Sequence, residues 1–188
     1  LAENGKESFF GISTDAANEP YNHGAVYLEN NEALVYWLDN RWGESKIYGS
    51  KINSSFDGTG DIFSEDVNGQ LLTSLPLAQE TPKAILVGNK IFLSFKVEES
   101  PNENLYFQLL NMDLIPDGDA TNLADASTSK QGFDMTLGDD EYIYYAYSEN
   151  FTLDYDISVK KISNTGSVTW TYSAVTNSTD DIVKAIYP

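Results

Sequence analysis

Three segments of the chain can be written under one another without a gap. They are "GAVYLENNEALVYWLDNRWGESKIYGSKI" (24–52), "PKAILVGNKIFLSFKVEESPNENLYFQLL" (82–110) and "DMTLGDDEYIYYAYSENFTLDYDISVKKI" (134–162). Trp37, Phe95 and Tyr147 share a column, and Ile47, Leu105 and Ile157 share another. Asn30, Gly88 and Asp140 mark a common first turn. An internal repeat constrains a fold more than any single motif, because each unit must bury its faces against its neighbours.

Each unit holds three short runs of alternating apolar residues, rich in aromatic and β-branched side chains and bounded by Gly, Asn, Asp or Pro. That is the signature of strands. A fourth, less regular strand follows near "DIFSEDVNGQLLTS", around "DGDATNLADAS" and at "GSVTWTYS". The period of about 50–60 residues is that of a four-stranded propeller blade. The sequence therefore predicts an all-β, propeller-like domain over residues 1–188, with units at about 24–74, 82–127 and 134–175. A strand flanks the units at each end: "SFFGIST" as a fourth strand and "KAIY" as a first strand matching "KAIL" of unit two. A β-sandwich is the alternative. Three blades are too few for a ring, so further blades are expected, from a longer chain or from an oligomer. The run "ENLYFQ" (103–108) spells a protease site used to remove affinity tags, but it occupies the third-strand column and reads as native.

Unit one carries Trp37, Asp39, Arg41, Gly43, Ile47 and Tyr48. This run resembles the W-x-D-x-R-x-G-x-x-D-I-Y repeat of secreted bacterial β-propeller proteins, with Lys46 where that repeat has Asp. The resemblance implies an extracellular or cell-surface module without implying catalysis. Units two and three place Lys96, Glu98 and Ser100, and Ser148, Asn150 and Thr152, where unit one has its Asp–Arg–Gly run.

The 188 residues carry 29 acidic side chains against 11 basic ones, a formal charge of -18. Nucleic acid and acidic membranes are excluded as partners, since phosphate binding needs a basic face. Cysteine is absent, which removes disulfides and thiolate chemistry. Arg41 is the only arginine, which argues against a sialidase, whose substrate carboxylate is clamped by several. His23 is the only histidine. It sits in a polar linker and reads as a surface residue, leaving no base for a serine triad.

Candidate contacts for a glycan or protein partner are Trp42, Tyr21, Phe151 and Tyr155, aromatics in predicted loops, together with Asp39 and Arg41. Asp39 and Arg41 are read first as a hairpin staple. Asp57, Asp61 and Asp66 space oxygen ligands as a calcium loop does, without its closing Glu. No other cofactor is expected. Asp139, Asp140, Glu141, Asp154 and Asp156 are read as solvated loop acids, or as the paired carboxylates of a glycoside hydrolase. The expected function is a non-catalytic binding or display module. The alternatives are a propeller glycoside hydrolase fragment and a structural spacer of a surface adhesin.

Overall fold

The computed structural model describes residues 21–29, 32–53, 69–99, 101–124, 128–150, 155–174, 183 and 185–186. These residues form three four-stranded antiparallel sheets, each built from consecutive strands. Blade 1 comprises β1 (Tyr21–Tyr27), β2 (Glu32–Asp39), β3 (Lys46–Asn53) and β4 (Gln70–Leu71). Blade 2 comprises β5 (Gln79–Val87), β6 (Lys90–Glu99), β7 (Asn102–Leu110) and β8 (Thr121–Asn122). Blade 3 comprises β9 (Lys130–Leu137), β10 (Ile143–Asn150), β11 (Tyr155–Ile162) and β12 (Val168–Ala174). "SFFGIST" and the proposed calcium loop lie outside the described residues, as do Lys184 and Tyr187 of "KAIY".

The blades stack face to face. Leu34, Tyr36, Leu38 and Ile47 of blade 1 share one core with Ile91, Leu93, Phe95 and Val97 of blade 2. Phe92, Leu105, Phe107 and Leu109, from the other face of blade 2, share a second core with Phe133, Ile143, Tyr145 and Tyr147 of blade 3. Blade 2 is thus buried on both faces, which is why "KIFLSFKV" is almost wholly apolar. Leu105 and Phe107 of "ENLYFQ" lie in that second core, on strand β7.

Buried polar side chains tie the stack where the sheets do not. Gln79 is fully buried; its Oε1 accepts from Ile47 N–H at 3.0 Å, and its Nε2 donates to Thr73 Oγ1 and to the Leu75 carbonyl. Gln108 accepts from the N–H and the hydroxyl of Ser74 and donates to the Gly118 carbonyl. The Ser94 and Tyr145 hydroxyls bond at 2.8 Å between blades 2 and 3. A buried polar group left without such a partner costs about 1–3 kcal/mol.

The middle hairpins share one register. Trp37 faces Tyr48, Phe95 faces Tyr106, and Tyr147 faces Ser158. The same ladders correct the sequence reading of the Asp–Arg run. Asp39 faces Lys46, and its counterparts are Val97 facing Asn104 and Glu149 facing Asp156.

The first hairpins break the gapless alignment. Blades 1 and 3 turn through five-residue loops, Tyr27 pairing Ala33 and Leu137 pairing Ile143. Blade 2 turns through Gly88 and Asn89 alone, with Val87 pairing Lys90. Gly88 has φ 58°, as the first position of a tight hairpin turn requires. The shorter turn slips β5 by one residue against β6, relative to β1 on β2 and β9 on β10. Each first pairing also shifts register at the opposite end of the blade, at Tyr21/Gly24, Glu80/Lys83 and Tyr147/Glu149.

Gly24 makes room for the contact between blades 1 and 2. A Cβ there would lie 2.3 Å from the Tyr36 hydroxyl, which accepts the Ala84 N–H at 3.2 Å. Tyr36 is buried, so its ring has nowhere to retreat. Gly24→Ala is expected to lower stability by about 1–3 kcal/mol, measured by urea unfolding; an unchanged midpoint would show that blade 1 gives way without cost.

Candidate functional site

The β2–β3 loop, the end of β10, the start of β11 and the start of each first strand lie at one end of the blades, called here the upper end. Asp39, Arg41, Trp42, Tyr21 and Tyr155 of the sequence candidates lie there. Trp42 follows β2, Tyr21 opens β1 opposite Leu38, and Tyr155 opens β11 opposite Asn150. Tyr21 and Tyr155 are therefore strand-end residues and not loop residues, a correction to the expectation above. Phe151 lies outside the described residues, as do Asp57, Asp61 and Asp66. His23 stands exposed in β1.

The hairpin that carries Trp42 is locked from within. Gly43 N–H donates to the Asn40 carbonyl at 2.8 Å. Asp39 is fully buried; its Oδ1 accepts the Arg41 backbone N–H at 2.8 Å, and its Oδ2 accepts Nε and Nη2 at 2.9 and 2.5 Å. The Arg41 guanidinium lies 4.2 Å over the ring of Tyr48. Burial alone would raise the Asp39 pKa, but the bonds from Arg41 more than offset it and hold the carboxyl below its usual range. Lys46, which stands where the resembled repeat has Asp, donates to the carbonyls of Pro76 and Leu77 and so ties the hairpin to the β4–β5 connection. Trp42 projects from this clasp with 84 % of its surface exposed.

Blade 3 buries a second polar cluster at the same end. Lys130, fully buried at the start of β9, donates to the carbonyl and hydroxyl of Thr128 and lies 3.7 Å from Glu149 Oε2. Glu149 also accepts from Thr128 and from Ser158, the latter at 2.5 Å. Burial, reinforced by Glu149, pushes the Tyr147 phenol up. Burial pulls Lys160 down, with Glu149 opposing it. Asp156 is buried within β11, so it is not the solvated loop acid expected of it. Sequence reasoning missed Glu149 and Lys130; the signal was in the gapless alignment itself, where Glu149 falls in the column of Asp39.

At the opposite, lower end an open cleft of about 550 Å³ is lined by Tyr142, Tyr144, Lys161, Thr169 and Trp170. Lys161 Nζ bonds Asp140 at 2.6 Å and lies 4.3 Å over the ring of Tyr142, while the Tyr144 hydroxyl donates to Asp140 at 2.9 Å. These bonds, that from Lys161 foremost, hold Asp140 below its usual range. Among the described residues no three His, Cys, Asp or Glu side chains are grouped to hold a metal ion. No helix among them is long and apolar enough to cross a membrane.

No protein-family model matches the chain, and no curated protein does. Solved structures do. A subtype N10 neuraminidase-like protein of A/little yellow-shouldered bat/Guatemala superposes with a TM-score of 0.54 at 10% identity, over 88% of this chain and 46% of that one. An alpha-L-arabinofuranosidase from Lactobacillus brevis superposes with a TM-score of 0.56 at 11% identity, over 86% of this chain and 57% of that one. The chain is thus an all-β, propeller-like assembly of blades, and it spans about half the length of the two chains it resembles. At such identity the likeness defines the fold and not the chemistry.

Two outcomes follow for the upper end. Asp39 titrates lower in the folded chain than in the unfolded one, so its stabilisation is complete above the ordinary carboxylate range and is lost as pH falls through it. Arg41→Ala is expected to cost about 1–3 kcal/mol at pH 7, with the gap to the unmodified protein narrowing below about pH 4; a gap independent of pH in acid melts would break the assignment. Lys130→Met leaves Glu149 buried without its cation and should cost about 3–5 kcal/mol. Adding Glu149→Gln should restore part of that loss in urea titrations.

Proposed function

We propose that the chain is a non-catalytic binding and display module of the propeller class, working at the cell surface or outside the cell. Its ligand contacts sit at the upper end, around Trp42. The observation that carries this reading is the exposed Trp42 indole on a hairpin clasped by Asp39, Arg41 and Tyr48. A large aromatic face exposed to water on a clasped hairpin suits a sugar ring or a protein partner.

Among the described residues, the two acids with displaced titration do not suit the general-acid role. Paired-acid hydrolysis needs one carboxyl held protonated near neutral pH. Asp39 and Asp140 are both displaced downward and bound to a cation.

A broad panel of glycans is the first set of ligands to try. On a glycan array the chain is expected to bind without releasing reducing sugar from the same polysaccharides. Trp42→Ala should abolish binding and leave the melting temperature unchanged. Hydrolysis would favour the glycosidase reading, and silence against every glycan and protein bait would favour the spacer.

A further inference from the structure

The face of blade 3 turned away from blade 2 is largely apolar, and its β12 part is exposed. Tyr144 and Ala146 of β10 stand in a row with Ile157 and Val159 of β11 and with Trp170 and Tyr172 of β12. Trp170 is 48 % exposed and Tyr172 54 %, and their rings stack 5.9 Å apart. The matching row is covered in the other two blades. Leu34, Tyr36 and Ile47 hold the repeat positions of Tyr144, Ala146 and Ile157, and all three pack against blade 2. Phe92 and Leu105 hold the positions of Tyr144 and Ile157 and pack against blade 3, while Ser94, at the position of Ala146, bonds Tyr145 there.

A second observation shows what lies beside that face. The chain beyond β12 returns to blade 3. Val183 is buried, and its N–H donates to Ser148 Oγ at 2.8 Å. Ile186 N–H donates to Asp134 Oδ2 at 2.7 Å. The other oxygen of Asp134 accepts from Lys83 Nζ at 2.8 Å. Asp134 belongs to β9, the first strand of blade 3, and Lys83 to β5, the first strand of blade 2. One carboxylate therefore holds the preceding first strand and the returning chain. The sequence here, "KAIY", repeats the "KAIL" of β5.

We propose that the Tyr144–Trp170–Tyr172 face docks a fourth four-stranded blade of the same repeat, continuing this chain, with Val183 and Ile186 marking where its first strand enters. The packing between blades 1, 2 and 3 supplies the geometry, and an apolar face bearing two stacked aromatics supplies the driving force. Blade 1 of a second copy is the poorer occupant. The face it would offer carries Trp37 and Tyr48, already buried at 4 % and 7 % exposure.

The absence of cysteine from these 188 residues makes a thiol-labelling test available, with any cysteine elsewhere in the complete product replaced by Ser. Tyr172→Cys and, separately, Trp170→Cys place a lone thiol on the face, and Thr165→Cys places a control thiol on an exposed turn. Each is made in the 188-residue chain and in the complete product of its reading frame, and its rate of reaction with a maleimide is followed. The expected result is at least tenfold slower labelling at positions 170 and 172 in the complete product, and fast labelling of the control in both. Equal rates at the face positions in both proteins would overturn the proposal. So would protection in the 188-residue chain that grows with its concentration, because that assigns the face to a second copy.

Discussion

A β-sheet with two apolar faces cannot stand in water by itself. Blade 2 is such a sheet: Ile91, Leu93 and Phe95 leave it on one side, Phe92, Leu105 and Phe107 on the other. Everything else in the structure follows from supplying it with two neighbours. Blade 1 and blade 3 are those neighbours, and the inter-blade bonds through Gln79 and between Ser94 and Tyr145 hold the three sheets in one alignment. Apolar burial supplies the energy without direction; the buried amides and hydroxyls, which are costly unless paired, select the packing that pairs them.

That selection concentrates at the upper end. Strand ends leave backbone and side-chain polar groups short of ladder partners, and here they are drawn inward. Asp39 with Arg41, Gln79 with Thr73, and Lys130 with Glu149 each close a local deficit with a specific bond. Trp42 projects from the strand end that the Asp39–Arg41 bonds tie together.

Much of the architecture was legible because the repeat is written in apolar alternation. The first three strands of each blade and the shared register of the middle hairpins follow from aligned columns, while the fourth strands lie outside those columns and are read from less regular runs. The polar cluster of blade 3 was marked only by the column that Glu149 shares with Asp39. Charge in a strand reads as solvent-facing until its partner is known, and the partners of Glu149 are Lys130 at the start of a different strand and Ser158 across the hairpin. The aromatics at Tyr21 and Tyr155 were misread as loop residues because strand ends are the least certain boundaries in a sequence. Trp42, between a buried Asp–Arg pair and a turn glycine, was legible as exposed from local chemistry alone.

The slip of β5 is easily overlooked. Gln79 and Lys130 occupy equivalent places in space, the one opposite Val97 and the other opposite Glu149, although they fall in different columns of the gapless repeat. Both are fully buried polar residues at the start of a first strand. A consensus blade drawn by averaging the columns would blend two faces of that strand, setting outward residues inward along its whole length. Any chimaera that exchanges blade 2 for its neighbours must cut at the hairpin and carry the turn with the strand, because the two-residue turn at Gly88 and the slipped strand form one heritable part.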